Sequence, residues 1–273
     1  MSTEWDIDRL DLAAYLQRIG SDGEPAPTDE ALARLHRAHL ASIPFENVDV
    51  VIGRGIAVDL DSVQAKLVHR RRGGYCYEHG VLFAAVLERL GFSVDRLLAR
   101  IGGLGERPRA RTHMTLSVRT PTATWLADVG FGSGILEPLP FAADGPRTQG
   151  AWTYDLEATG PHAWRLRERN GEEWMTHYGF DDVRQHPSDV VMANHFSSTF
   201  ARSPFVGQLV AVRRTADSLT RLVDRRLTVT APDWSTEARD LGDDEVVDAL
   251  LHRFGIGLDA DELAGVIDAL PRA

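Results

Sequence analysis

Apolar residues recur at helical spacing through the first ninety positions. In "TDEALARLHRAHLASIPF", Leu32, Leu35, His39, Leu40 and Ile43 fall on one stripe, with Thr28 placed as N-cap and Asp29 and Glu30 in the first turn. Pro44 predicts the stop. "DSVQAKLVHRR" and "VLFAAVLERLGF" (81–92) predict two further helices, and Gly91 suits the residue just past the end of the second. From about 93 to 215 the period shortens to two. "RTHMTLSVRT" and "ATWLADVGFG" alternate and are rich in Thr, Val, Leu and Trp, with "PTAT" as the turn between them. "AWTYDLEAT", "AWRLRER" and "EEWMTHYGF" continue as short strands, so an antiparallel sheet or small barrel is expected here. "RRLTVTA" reads as a later strand, and "DDEVVDALLHRFGI" sets Val246, Val247, Leu250, Leu251 and Phe254 at helical spacing. Helices, then strands, then mixed elements define an α+β chain of two or three subdomains.

Composition narrows the class. The chain has 273 residues, 43% hydrophobic and 26% charged, the balance of a soluble globular protein able to bury a core without staples. Its 30 basic and 40 acidic side chains leave a net charge of −10. That balance excludes a general nucleic-acid binder but leaves room for a local basic pocket. No apolar run approaches membrane-spanning length, and "MSTEWDIDRL" lacks the basic and apolar regions of a signal peptide. The single cysteine rules out an intramolecular disulfide, so a reducing compartment and a cytoplasmic location are expected.

That cysteine lies in "RRRGGYCYEHG" (70–80). Gly73 and Gly74 permit a backbone path that a Cβ would block. A helix beginning at or just after Cys76 would set the sulfur at the positive end of a helix dipole, and the neighbouring arginines would push the same way, toward thiolate. A nucleophilic thiolate needs a base, and the base an orienter. If the hairpin turns at Pro121 and Thr122, cross-strand partners sum to 243. Thr115 then faces Asp128, and His113 is its diagonal neighbour on the same face. Cys76, His113 and Asp128 thus form a candidate nucleophile, base and orienter. A buried thiol beside a satisfied His–Asp core pair is the other reading of the same spacing.

Three further features bear on function. "VGFGSG" lacks the G-x-G-x-x-G spacing of a dinucleotide fold, but its backbone N–H groups suit a thioester or pyrophosphate. His36 and His39 share a helix face without a third ligand, so no metal is expected. Of the arginines 70–72, part of the run should be surface and one should pair with Glu46 or Glu78 and brace the cysteine loop.

Four motifs, in order, carry a resemblance: "HLASIPFENVDV", "RRRGGYCYEHGVLF", "RTHMTL" and "LADVGFG", followed by "ANHFSSTFARSPFVG". Together they resemble the arylamine N-acetyltransferases, over about residues 10–255. The resemblance implies an N-terminal helical bundle (1–92) carrying the nucleophile, a central antiparallel β-barrel (93–205) carrying histidine and aspartate, and a C-terminal α/β lid (206–273). The Cys-His-Asp core would be like that of cysteine proteases. It implies Cys76 as acyl acceptor, His113 as base and Asp128 as orienter, with acetyl-CoA as donor and no metal or prosthetic group. Phe45, Phe131 and Phe205 would line the acceptor pocket, and Gly130, Gly132 and Ser133 would meet the donor. Partners are then CoA and small arylamine or hydrazine acceptors, with neither nucleic acid nor membrane and with a homodimer left open. Two positions depart from the family pattern: Gly80 stands where Asn or Gln is common, and Ser133 where a glycine is. The alternatives are an amide synthase closing a macrolactam from a carrier-bound polyketide and a cysteine hydrolase.

Overall fold

A computed structural model describes residues 4–103 and 109–271. The first part is helical: α1 (Leu12–Arg18), α2 (Asp29–Ser42), the two-residue strand β1 (Phe45–Glu46), α3 (Val48–Val51), α4 (Leu60–Gln64) and α5 (Cys76–Arg89). The Thr28 hydroxyl accepts from the Ala31 N–H at 3.2 Å, so α2 starts where its cap predicts. The stripe buries Leu32, Leu35, His36 and His39. The segment read as one helix over "DSVQAKLVHRR" is α4 passing into a π turn, Ala65–His69. The helix after the cysteine begins at Cys76, and Gly91 follows its end at φ +90°, a conformation glycine adopts without strain.

Eight antiparallel strands form the central sheet: β2 (Ser93–Ile101), β3 (His113–Arg119), β4 (Thr124–Ala127), β5 (Leu139–Pro140), β6 (Arg147–Gln149), β7 (Trp152–Gly160), β8 (Ala163–Asn170) and β9 (Glu173–Asp181). Their order is β5-β4-β3-β2-β9-β8-β7-β6, and the sheet is nearly closed into a barrel. The β3–β4 hairpin pairs Leu116 with Ala127, Ser117 with Leu126, Val118 with Trp125 and Arg119 with Thr124. Every pair sums to 243, the parity read from the turn. Residues 76 to 87 of α5 are all buried, and the helix packs on β2 and β3.

After the barrel come α6 (Pro187–Thr199), β10 (Val210–Arg214), β11 (Leu219–Val223), β12 (Arg226–Thr230), β13 (Thr236–Asp240), α7 (Asp243–Asp248) and α8 (Ala260–Ala269). The second sheet runs β1-β10-β11-β12-β13, so Phe45–Glu46 of the N-terminal region forms its edge. Two helices escaped the sequence pattern. α6 carries Pro187 in its first turn and an Asp189 carboxylate accepting from His186 N–H at 2.9 Å, but Val191 and Met192 face solvent and blur the stripe. α8 is ten residues long and capped by Asp259, whose carboxylate accepts from Glu262 N–H at 2.9 Å. One apolar core joins the helices to the eight-stranded sheet. A second lies beneath the five-stranded sheet and takes in Val48. Among the described residues no helix is long and apolar enough to cross a membrane.

Candidate active site

Cys76 is the first residue of α5, and Glu78 caps the turn: its carboxylate accepts from the Tyr75 N–H at 3.0 Å. The glycines before it answer a need for space rather than for unusual dihedrals, since neither has a positive φ. A Cβ on Gly73 would lie 2.2 Å from the Pro44 carbonyl oxygen, and one on Gly74 would lie 2.7 Å from Glu78 Oε2. The loop is thereby pressed against β1, where Phe45 and Gly74 form a parallel bridge.

The sulfur sits at the entrance of β3, donating to the Thr112 carbonyl at 3.7 Å. Burial pushes the Cys76 thiol well above its ordinary range, and the backbone N–H groups of Met114 and Tyr77 offset only part of that. The arginines do not contribute as their sequence position suggests. Arg72 is fully buried and donates to Glu46 Oε1 (3.0 and 2.7 Å) and Glu262 Oε1 (2.8 Å), while Arg70 donates to Glu262 at 2.6 Å. Both guanidiniums are thus held by carboxylates, and neither is bonded to the thiol. Arg72 does brace the loop through Glu46, one of the two partners foreseen. The other, Glu78, is taken by Lys66 at 2.8 Å.

His113 and Asp128 meet as the hairpin parity requires. His113 Nε2 donates to Asp128 Oδ2 at 2.6 Å, with both residues 2% exposed. The same oxygen accepts from the Tyr178 hydroxyl at 2.6 Å, and Oδ1 accepts from Gly130 N–H at 3.0 Å. Burial opposes ionisation of Asp128. The His113 charge and bond, the Tyr178 hydroxyl and the Gly130 N–H outweigh it and hold the carboxyl below its ordinary range. With Nε2 committed as donor, Nδ1 is the basic nitrogen of the neutral ring. His36, which shares a helix face with His39, supports this from behind. Its Nε2 accepts from the Asp128 backbone N–H and its Nδ1 donates to Leu136 O, both at 3.1 Å.

A cavity of about 910 Å³ joins these groups. Cys76, His113, Gly130, Phe131 and Ser133 line it, as do Phe45 and Phe205, whose rings are 6.0 Å apart. Phe131 meets the His113 ring edge to face at 5.1 Å. Gly132 lies elsewhere, at φ +77°. A Cβ there would come within 2.9 Å of the Phe45 ring, and the residue borders a separate small cavity behind the loop. Gly130 is pressed onto the nucleophile: a Cβ would sit 2.9 Å from Cys76 Cα. The sequence pattern missed Phe196, Phe200, Arg109, Arg202 and Arg221, which complete the large cavity. No Asp or Glu lines it among the described residues, although the chain is acidic overall. Tyr178 was also missed, and no local signal marks it, since it arrives from β9.

The departure at Gly80 now has a cause. A Cβ there would come within 2.8 Å of Met114 Sδ, so glycine at this point lets α5 lie close on β3. That contact brings Cys76 beside the strand that carries His113.

The proteins that this chain is similar to are acyltransferase enzymes. A family model described as N-acetyltransferase matches residues 29–263. The arylamine N-acetyltransferase of Mycolicibacterium smegmatis is 38% identical over 263 residues, covering 94% of each chain. That of Escherichia coli is 37% identical, covering 93% of this chain and 94% of its own. Among solved structures, the arylamine N-acetyltransferase from Mycobacterium abscessus superimposes with a TM-score of 0.92 at 36% identity, covering 98% of both chains. The Mycobacterium marinum enzyme in complex with CoA gives 0.87 at 32% identity, covering 96% of this chain and all of that one. The chain belongs to the arylamine N-acetyltransferase family.

Proposed function

We propose that the protein moves an acetyl group from acetyl-CoA to the nitrogen of arylamines and arylhydrazines through a thioester on Cys76. One observation carries the reading. A single cavity presents the thiol, a histidine whose Nε2 is locked as donor, and aromatic walls. The donor fits the lining: Arg109, Arg202 and Arg221 supply positive charge for phosphates, while Gly130 and Ser133 edge the route to the sulfur. Phe45, Phe131 and Phe205 would hold the acceptor ring.

His113 Nδ1 takes the thiol proton, and the buried Asp128 carboxylate stabilises the resulting imidazolium. Desolvation alone disfavours the thiolate, so in this reading the ion pair with His113 creates the nucleophile. The thiolate attacks the thioester carbonyl, the carbon–sulfur bond to CoA breaks, and CoA leaves with the proton from His113. The amine nitrogen then attacks the acetyl carbon on Cys76, passes its proton to His113, and the Cys76–acetyl bond breaks. The backbone N–H of Cys76, at the first helical position, is available to the oxyanion.

Intact-mass analysis tests this. Acetyl-CoA alone should add one acetyl group to Cys76, and an arylamine should remove it. Full transfer by Cys76→Ala would overturn the mechanism. A wild-type protein that acetyl-CoA cannot load, but a carrier-bound thioester can, would point to an amide synthase.

A further inference from the structure

Behind the nucleophile loop lie three buried polar side chains that the proposed chemistry does not use: Tyr15, His39 and His79, none of them exposed. The Tyr15 hydroxyl is 2.8 Å from His39 Nδ1, and His39 Nε2 is 2.8 Å from His79 Nδ1. His79 Nε2 faces two carbonyl oxygens, Gly74 O at 3.1 Å and Pro44 O at 3.2 Å. Carbonyls only accept, so Nε2 carries the hydrogen and shares it between them. In a neutral His79 ring, Nδ1 must then accept, which makes His39 Nε2 a donor. His39 Nδ1 is in turn an acceptor, filled by the tyrosine hydroxyl. The partners alone determine every tautomer, and the chain runs in one direction from Tyr15 to the two carbonyls.

Those carbonyls lie at a functional junction. Pro44 O also accepts from Gly74 N–H at 3.3 Å, and Gly74 O from Glu46 N–H at 2.8 Å, so Phe45 is held between them. Its ring stacks on that of His79 with centroids 6.5 Å apart and planes 8° apart. Cys76, two residues beyond Gly74, has further anchors of its own in the start of α5 and the entrance of β3.

We infer that His79, oriented by Tyr15 and His39, is a positioning residue that sets the Phe45 wall of the cavity and thereby the fit of the acceptor. The inference rests on the reading of Cys76 as acyl carrier and Phe45 as acceptor wall. It predicts that the two half-reactions separate. His79→Leu removes the shared N–H, and the second-order rate of the acceptor half-reaction should fall about tenfold, the effect of one lost buried hydrogen bond. Acetyl loading of Cys76 should stay within about twofold, because the nucleophile has its own anchors. His79→Gln, whose amide reaches the same carbonyls, should recover most of the lost rate.

The experiment is stopped-flow acetyl loading followed by chasing with a para-substituted aniline, for wild type and each variant. Equal losses in both half-reactions, or none in either, would overturn the inference, as would a Gln variant no better than Leu. If His79→Leu does not fold, Tyr15→Phe decides. It strips the donor from the far end of the chain and should slow only the acceptor step, by about threefold, whereas an unchanged acceptor step refutes the chain. Wild-type protein that never loads acetyl defeats the underlying acyl-carrier reading before any variant is compared.

Discussion

Asp128→Asn is the sharpest single perturbation of the triad, and the structure dictates how it acts. The carboxylate takes three donors: His113 Nε2 and the Tyr178 hydroxyl on Oδ2, and Gly130 N–H on Oδ1. An amide offers one oxygen and one NH₂ group. Were the oxygen to stay in the Oδ2 place, the NH₂ would oppose the Gly130 N–H, two donors face to face in a buried site, costing about 1–3 kcal/mol. Were it to move to the Oδ1 place, the NH₂ would face His113 and Tyr178. The hydroxyl can rotate to accept, and the imidazole can shift its proton to Nδ1. Nothing is then left unpaired, so this second arrangement wins. Its consequence is chemical: Nδ1 becomes a donor and cannot take the thiol proton. The imidazolium also loses a buried charge-assisted partner, about 1.5–3 kcal/mol on its own. With the tautomer penalty added, alkylation of Cys76 by iodoacetamide at pH 7 should slow by about 100-fold or more. The loss should shrink as pH rises and hydroxide replaces the missing base. Thermal stability should change little, since the amide pairs all its neighbours. An alkylation rate within threefold of wild type in a folded variant would refute the argument.

Three other outcomes follow from buried contacts. Gly80→Ala should cost about 1 kcal/mol net in chemical denaturation, because its Cβ meets the buried Met114 Sδ at 2.8 Å while alanine's helix preference offsets part of the crowding. Combining it with Met114→Ala should be less costly than the sum of the two, and strict additivity would deny the contact. Arg72→Met removes the guanidinium paired with the fully buried Glu46, whereas Glu262 keeps Arg70 and Arg54, so a loss of about 3–5 kcal/mol is expected from Glu46, partly restored by adding Glu46→Gln. A loss below 1 kcal/mol would show the Glu46 carboxylate paired elsewhere. Burial lowers both His36 and His79 to about 4. Each stays neutral in the folded state while the unfolded chain binds a proton below its ordinary value near 6.5. Stability should therefore fall as pH drops from 6.5 toward 4, by roughly 2 kcal/mol per histidine at pH 5. Denaturant midpoints across that range measure it, and a slope unaltered in His79→Gln would remove His79 from the account.

How much of the site the sequence revealed depends on the distance over which each feature is determined. Hairpin parity was legible because a four-residue turn and a period of two set which residues share a face, so His113 and Asp128 could be paired without knowing the fold. The start of α5 at Cys76 and the Thr28 cap were legible for the same local reason. α6 was not, because its exposed Val191 and Met192 break the polar side of the pattern.

The sequence by itself thus determined most element types, though not α6 or α8, together with the hairpin register and the nucleophile's place at a helix start, all products of interactions within a turn or two. Tertiary structure alone decided the rest. It assigned the charge of Arg72 to a carboxylate 190 residues away rather than to the thiol. It brought Tyr178 onto Asp128 from 50 residues further along. It also turned "HG" at 79–80 from an oddity into two fitted parts: a histidine aligned by another 40 residues earlier, and a glycine that yields its space to Met114. Such contacts form only when the whole chain is packed, because a buried polar group is satisfied by whatever the fold brings within hydrogen-bond reach, not by its neighbours in sequence.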